Sequence, residues 1–329
     1  MFDVKSNTEA AKAFWSSHDL RQRKVMAFFM PKIAVIIRNQ IRSFLRSIER
    51  DGYPVAKANI RQTIELEPVV KVLKQMYLRG AYIESNYVLN YLLGGRKSAP
   101  VNMEQKRVRP RTASFGLSLD DLSGTIEDYF RIRVLNDSAL PINESTRKYI
   151  KTYLLDKVDN GMPLDQAIAE FRELALTKTP NPYAAQRARR IALTETTKVM
   201  SFGGLIGAYM SGLDVEKVWV TSFDRSVRGL PNYGADYSHV ALDGVSQTLL
   251  GAFYNNEEIR FPGDPQASIE NIANCRCCLY YREKPKPRGQ VRRGGRVRRN
   301  LRQFLIDFLA RTALAAVINN LTDDDGEGL

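Results

Sequence analysis

The chain has 329 residues, 44% of them hydrophobic, which is enough to bury a substantial core, and its length alone suggests two domains. The 49 Lys and Arg against 36 Asp and Glu leave a formal net charge of +13, which favours polyanionic partners, nucleic acid first and acidic protein surfaces second, unless the charge serves solubility alone. The only cysteines, Cys275, Cys277 and Cys278, crowd together, which excludes a secreted disulfide framework and suits a reducing compartment.

The opening MFDVKSNTEAAKAF has no apolar run followed by a small-residue cleavage site, so no signal peptide is expected. The longest apolar run near the end, Ala313 to Ile318, falls far short of a membrane span. A soluble protein made in a cytoplasm is the expectation.

Residues 8 to 50 read as two helices broken near Pro31. In the second, Ile33, Ile37, Ile41, Leu45 and Ile48 mark a buried stripe, while Arg38, Arg42, Arg46 and Arg50 line another face. Such stacked like charges either await an anion or form a solvated face relieved by Glu49 and Asp51. His18 falls in a polar stretch and is assigned no role. From Glu67 to Leu93 a long helix is predicted, with Pro68 in its first turn and Gly94-Gly95 as its stop. Its Tyr77, Tyr82, Tyr87 and Tyr91 are packing residues more readily than base-stacking platforms.

Residues 95 to 113 read as a basic linker, with Pro100, Pro110 and the cluster Lys106, Arg107, Arg109 and Arg111. An α+β module should follow over 114 to 283, helices first and then a small antiparallel sheet. Its first helix, 144 to 159, carries Ile150, Tyr153, Leu154 and Val158 on one side and closes at Asn160-Gly161. The second follows Pro163 with Leu164, Ile168, Phe171 and Ala175 as its apolar face. The third, 184 to 211, places Ile191, Glu195, Lys198 and Phe202 on one stripe. Strand-like segments come next: EKVWVTSF (216 to 223), VSQTLL (245 to 250) and CRCCLYY (275 to 281).

The tail has two parts. Between 282 and 302 lie Arg282, Lys284, Lys286, Arg288, Arg292, Arg293, Arg296, Arg298, Arg299 and Arg302 against the single acid Glu283. Such an arm, broken by Gly and Pro, can follow phosphates and release counterions, or serve as a solvated linker. Nucleic-acid contacts are assigned to Arg288, Arg292, Arg293, Arg296, Arg298, Arg299 and Arg302. Leu301, Phe304, Leu305, Phe308 and Leu309 then open an amphipathic C-terminal helix, and the chain ends in an acidic string within 304 to 329.

Four pieces occur in order: RARRIALTET (187 to 196), KVWVTSFDRSVR (217 to 228), DYSHVALDG (236 to 244), and FPGDP with NCRC (261 to 265 and 274 to 277). Over 140 to 283 this set resembles the phage Mu F-like family of minor head proteins. The corresponding residues are Thr194 and Glu195, Lys217 and Trp219, Asp224 and Arg228, His239 with Asp243-Gly244, Pro262-Gly263-Asp264, and Asn274-Cys275-Arg276-Cys277. Two departures stand out. Leu193 occupies the family's arginine position before Thr-Glu, and the interval between Arg228 and His239 is longer than the usual short link.

The resemblance implies a non-enzymatic protein of head morphogenesis inside the virion, made in the host cytoplasm. Portal protein and capsid or scaffold proteins would be its partners, and it could leave with the genome. DNA would be bound non-specifically, through phosphates. An enzyme or toxin, a nuclease or transferase built on the same module, is the alternative, and a stand-alone DNA-binding regulator a third.

Glu195 shares its stripe with apolar residues, so its carboxylate should face protein and need a cation, with Arg225, Arg228 and Arg276 as candidates for a latch between helix and sheet. Cys275 and Cys277 alternate on the expected strand and face one side. Small buried thiols, with His239 hydrogen-bonded to the Asp243 turn, are one reading. The other is zinc held by His239, Cys275 and Cys277, with Cys278 or Asp243 as a fourth ligand, although Cys-x-Cys is not the usual zinc knuckle. No catalytic residue and no cofactor is expected.

Overall fold

The computed structural model describes residues 9–93, 138–176, 183–222, 227–229 and 236–284, together with Phe304 and Phe308. The architecture is α+β: long helices enclose one core, and a small antiparallel sheet caps it. The basic linker 95–113, Asp224, Arg225, the basic arm from 285 on and, apart from Phe304 and Phe308, the C-terminal helix and acidic tail lie outside the described residues.

α1 spans Glu9–Asp51 as one helix and not two, with Pro31 inside it. Pro31 is exposed, so the carbonyl it leaves unbonded faces the water side, while Phe29, Ile33, Ala34 and Ile37 stay buried around it. Packing on both sides outweighs the lost rung. After the short helices α2 (Tyr53–Ala58) and α3 (Ile60–Thr63), α4 runs Glu67–Leu92 with Pro68 in its first turn, as its pattern predicts. Tyr77 is fully buried, and Tyr87 and Tyr91 pack with Phe14 at 5.5 and 5.3 Å between ring centroids, so these rings serve packing.

α5 (Leu140–Ile150) begins earlier than expected, with Pro141 in its first turn, and passes into a π-helical turn over Lys151–Leu155 before α6 (Asp156–Asp159). A π turn adds a residue to the helical register. Leu154 and Leu155 are therefore both buried, while Tyr153, expected on the apolar side, is 42% exposed. Gly161, at φ +95°, ends the segment, and α7 (Leu164–Leu176) packs Ala167, Phe171 and Ala175 inward.

α8 (Tyr183–Met210) is the axis of the molecule, buried almost continuously from Thr194 to Tyr209. It crosses α4 at backbone contact: a Cβ on Gly207 would lie 2.2 Å from the Ser85 carbonyl oxygen, and one on Gly203 2.5 Å from that of Ala81. Glycine is required there because no side chain fits between the helices.

The sheet has the order β2-β1-β5, all antiparallel: β1 is Val215–Val220, β2 Ser246–Thr248 and β5 Cys278–Glu283. Trp219 pairs with Leu279 and Val220 with Cys278. The last strand thus starts at Cys278, and Cys275 and Cys277 precede it instead of alternating on it. A second ribbon, β3 (Phe253–Tyr254) with β4 (Glu258–Ile259), leads to the short helix α9 (Ile269–Ile272). Phe304 and Phe308, both helical, close the core over Phe202, with ring centroids 6.0 and 5.5 Å away. Among the described residues no helix is long and apolar enough to cross a membrane.

Candidate functional site

Two motif pieces far from α8 in sequence meet it in the fold: the Asn-Cys-Arg-Cys segment bonds Thr194 and Thr197, and the Pro-Gly-Asp turn lies against Lys198. Asn274 takes a left-handed backbone conformation, φ +57°, and its N–H donates to the Thr194 hydroxyl at 3.1 Å. One residue on, the Cys275 carbonyl accepts from the Thr197 hydroxyl at 2.5 Å, and Gln22 of α1 donates to that same hydroxyl at 2.7 Å. The Arg276 carbonyl accepts from the Trp15 indole at 3.3 Å, and the Ala273 carbonyl from the Arg228 guanidinium. Residues 273–276 are therefore fastened through their carbonyls to α1, α8 and the Arg228 turn.

His239 packs edge-on against Trp219, with ring centroids 5.3 Å apart. Its Nε2 meets Asn271 Oδ1 at 2.7 Å, and its Nδ1 lies 3.5 Å from both Cys275 Sγ and Cys277 Sγ. Its link to the Asp243 turn is through the backbone, the His239 carbonyl accepting from the Leu242 N–H at 3.1 Å. The Asp243 carboxylate instead accepts from the Thr221 N–H (2.9 Å) and hydroxyl (3.0 Å), while Gly244, at φ +77°, lets its own N–H reach the Trp219 carbonyl at 2.8 Å. Burial would push both thiols up, but His239 and the neighbouring Cys277 hold Cys275 well below the usual thiol range. Cys277 moves the other way, because it is buried beside that charge. His239 is raised: burial opposes its charging, and the Cys275 thiolate more than offsets that. Those three residues form the one His/Cys/Asp/Glu cluster with metal-ligand spacing among the described residues; Cys278 and Asp243 are not part of it.

Glu195 is buried as its stripe predicts, but its partner is Lys198 (Nζ 2.9 Å from Oε2), joined by Ser138 at 3.0 Å and by the Tyr77 hydroxyl. The sequence pattern pointed to Arg225, Arg228 and Arg276 for a latch to the sheet, whereas the cation stands one turn along the same helix. The latch binds α8 to α4, not helix to sheet. Lys217, also fully buried, donates to the Arg260 carbonyl at 2.7 Å, and Asp264 of the Pro-Gly-Asp turn holds Arg260 with two bonds of 2.9 and 3.0 Å. Gly263, at φ +80°, lets this turn press on α8: a Cβ there would lie 2.9 Å from Lys198 Cα.

Two features are not anticipated by the sequence pattern. His18 is buried with Arg21, and both bond Glu84, at 2.9 and 2.7 Å. Burial alone would raise the Glu84 carboxyl, but Arg21 and His18 hold it down at about 2. The available signal is the His18 and Arg21 pair, one turn apart on α1. The second feature is a cavity of about 870 Å³ between α1, α8 and the 273–276 segment. Among the described residues, Arg23, Arg189, Arg190, Arg228 and Arg276 line it against one carboxylate, Asp19, which pairs with Arg23 at 2.8 Å. Leu193, which stands in the family's arginine position, lines it too.

No family model matches the chain, and neither a curated protein nor a solved structure matches it.

Proposed function

We propose that the chain is a minor head protein of the phage Mu F-like kind, acting in head morphogenesis beside the portal and inside the capsid, where it holds DNA through phosphates without reading sequence. The observation that carries the DNA contact is the cavity where, among the described residues, five arginines face one carboxylate beside the Asn-Cys-Arg-Cys segment. Guanidinium groups match phosphate geometry, and such a concentration of like charge is relieved by a polyanion. The basic run within 282–302 adds further cations in the sequence. Portal, capsid and scaffold contacts, a place in the virion interior and exit with the genome follow from the family resemblance.

The role is structural and not enzymatic. Glu195, the acid that a catalytic reading would choose, is 6% exposed and takes bonds from Lys198, Ser138 and Tyr77, which leaves it committed to the core.

Binding of the full chain to short duplexes of unrelated sequence, titrated over a range of salt, tests the DNA contact. Affinity should be independent of sequence and fall steeply with salt. Arg189→Ala with Arg190→Ala should weaken all duplexes alike and lower the log–log slope by roughly 0.9 for each phosphate no longer neutralised. Binding that ignores salt, or that prefers one sequence, would overturn it. Mass spectrometry of purified particles tests the head role, since mature virions without this polypeptide contradict it.

A further inference from the structure

We infer that His239, Cys275 and Cys277 form a binding site for a soft divalent metal, zinc by chemistry, that holds the 239–244 turn to the 273–277 segment. The inference stands independently of any DNA contact.

The histidine is preset as a ligand. Both hydrogens of the Asn271 side-chain amide are taken, one by Asn255 Oδ1 at 3.0 Å and one by Glu257 Oε1 at 2.7 Å. The amide nitrogen is thereby fixed, and Asn271 Oδ1, which faces His239 Nε2 at 2.7 Å, must accept. His239 therefore carries its proton on Nε2, and the Nδ1 lone pair points at the two sulfurs. A polar group that fixes the tautomer from behind is the usual outer support of a metal-bound imidazole.

Distances separate a metal site from packed thiols. An imidazole nitrogen at about 2.05 Å and a sulfur at about 2.3 Å from a tetrahedral zinc stand about 3.5 Å apart. Nδ1 lies 3.5 Å from both sulfurs, and the three ligand atoms lie within 4.8 Å of one another. A single lone pair accepting a thiol proton would favour one sulfur; equal separation suits a shared cation. The Trp219 indole N–H is buried with no hydrogen-bond partner among the described residues.

Charge and hardness select the ion. Two thiolates with a neutral imidazole cancel a divalent charge, so the site can stay buried, as its ligands are at 1 to 3% exposure. Sulfur ligands favour zinc over magnesium or calcium. Three protein ligands leave the fourth position to solvent.

The test uses the full chain, purified under reducing conditions from zinc-supplemented cells. Elemental analysis should find about one zinc per chain, and cobalt replacement should give a sulfur-to-metal charge-transfer band. Cys275→Ser and Cys277→Ser should lose metal and band, while Cys278→Ser keeps both. Asn271→Ala, checked for its fold by circular dichroism, should weaken cobalt binding by roughly 10–100-fold. Should the cysteine variants fail to fold, wild type decides: a folded, reduced chain that contains no zinc, takes none up and gives cobalt no charge-transfer band overturns the site. A Cys275–Cys277 disulfide in the freshly reduced protein, or metal retained by the cysteine variants, would overturn it as well.

Discussion

The buried Glu84 triad makes the protein sensitive to acid in a calculable way. Glu84 has a folded pKa of about 2 against an ordinary 4.5, because Arg21 and His18 bond it inside the core. A depressed carboxylate stabilises the fold fully above its unfolded pKa and loses that contribution as pH falls towards the folded one. The shift corresponds to about 3 kcal/mol, of which about 2 kcal/mol is gone by pH 3. Urea unfolding followed by the fluorescence of Trp15 and Trp219, run at pH 5.5 and pH 3, measures it.

Other carboxylates titrate in the same window, so the informative quantity is the difference from Glu84→Gln. That variant strands the Arg21 charge, which has only Ser17 and the Tyr87 ring (3.3 Å) left, and should cost about 3–5 kcal/mol at pH 7. Its loss between pH 5.5 and 3 should then be smaller than the wild type's by about 2 kcal/mol. Equal losses in the two proteins would refute the assignment of the acid response to Glu84.

Gly207→Ala, forced against the Ser85 carbonyl, should destabilise by about 1–3 kcal/mol despite alanine's better helix propensity, as urea midpoints will show. Asp264→Ala leaves Arg260 buried and unpaired and should cost about 3–5 kcal/mol, again by urea unfolding. Across the π turn, Leu154→Ala should lose about 2–5 kcal/mol while Tyr153→Ala, which gives up its ring contact with Tyr149, should lose less, about 0.5–1.5 kcal/mol. The reverse ranking in thermal melts would restore the ordinary helical register.

The helices α4, α7 and α8 are legible in the sequence because their apolar residues recur cleanly at helical spacing and prolines and glycines mark their ends. Pro31 misleads because a proline's cost depends on which face it occupies, and that face is set by helices distant in sequence. The register change over Lys151–Leu155 has no marker residue, so helical spacing alone places Tyr153 inward. At the site, burial of Glu195 follows from its stripe, yet its partner Lys198 stands on that same stripe, nearer than the arginines that the motif offers. His239 and the cysteines can be grouped by type. Only folding shows that Asn271, thirty-two residues from His239, decides which imidazole nitrogen faces them.

Residues 273–276 are gripped largely by their peptide groups, and this shifts the chemical demand elsewhere. The Ala273 side chain can change without loosening the grip, whereas the donors Trp15, Thr197 and Arg228 cannot be exchanged for residues that lack an N–H or O–H. Trp15, like Gln22 behind Thr197, belongs to the first helix of the chain. An excised fragment beginning at residue 138 would therefore lack two of its own fasteners and expose the flanks of α8. The smallest piece able to present this segment in shape must begin with α1.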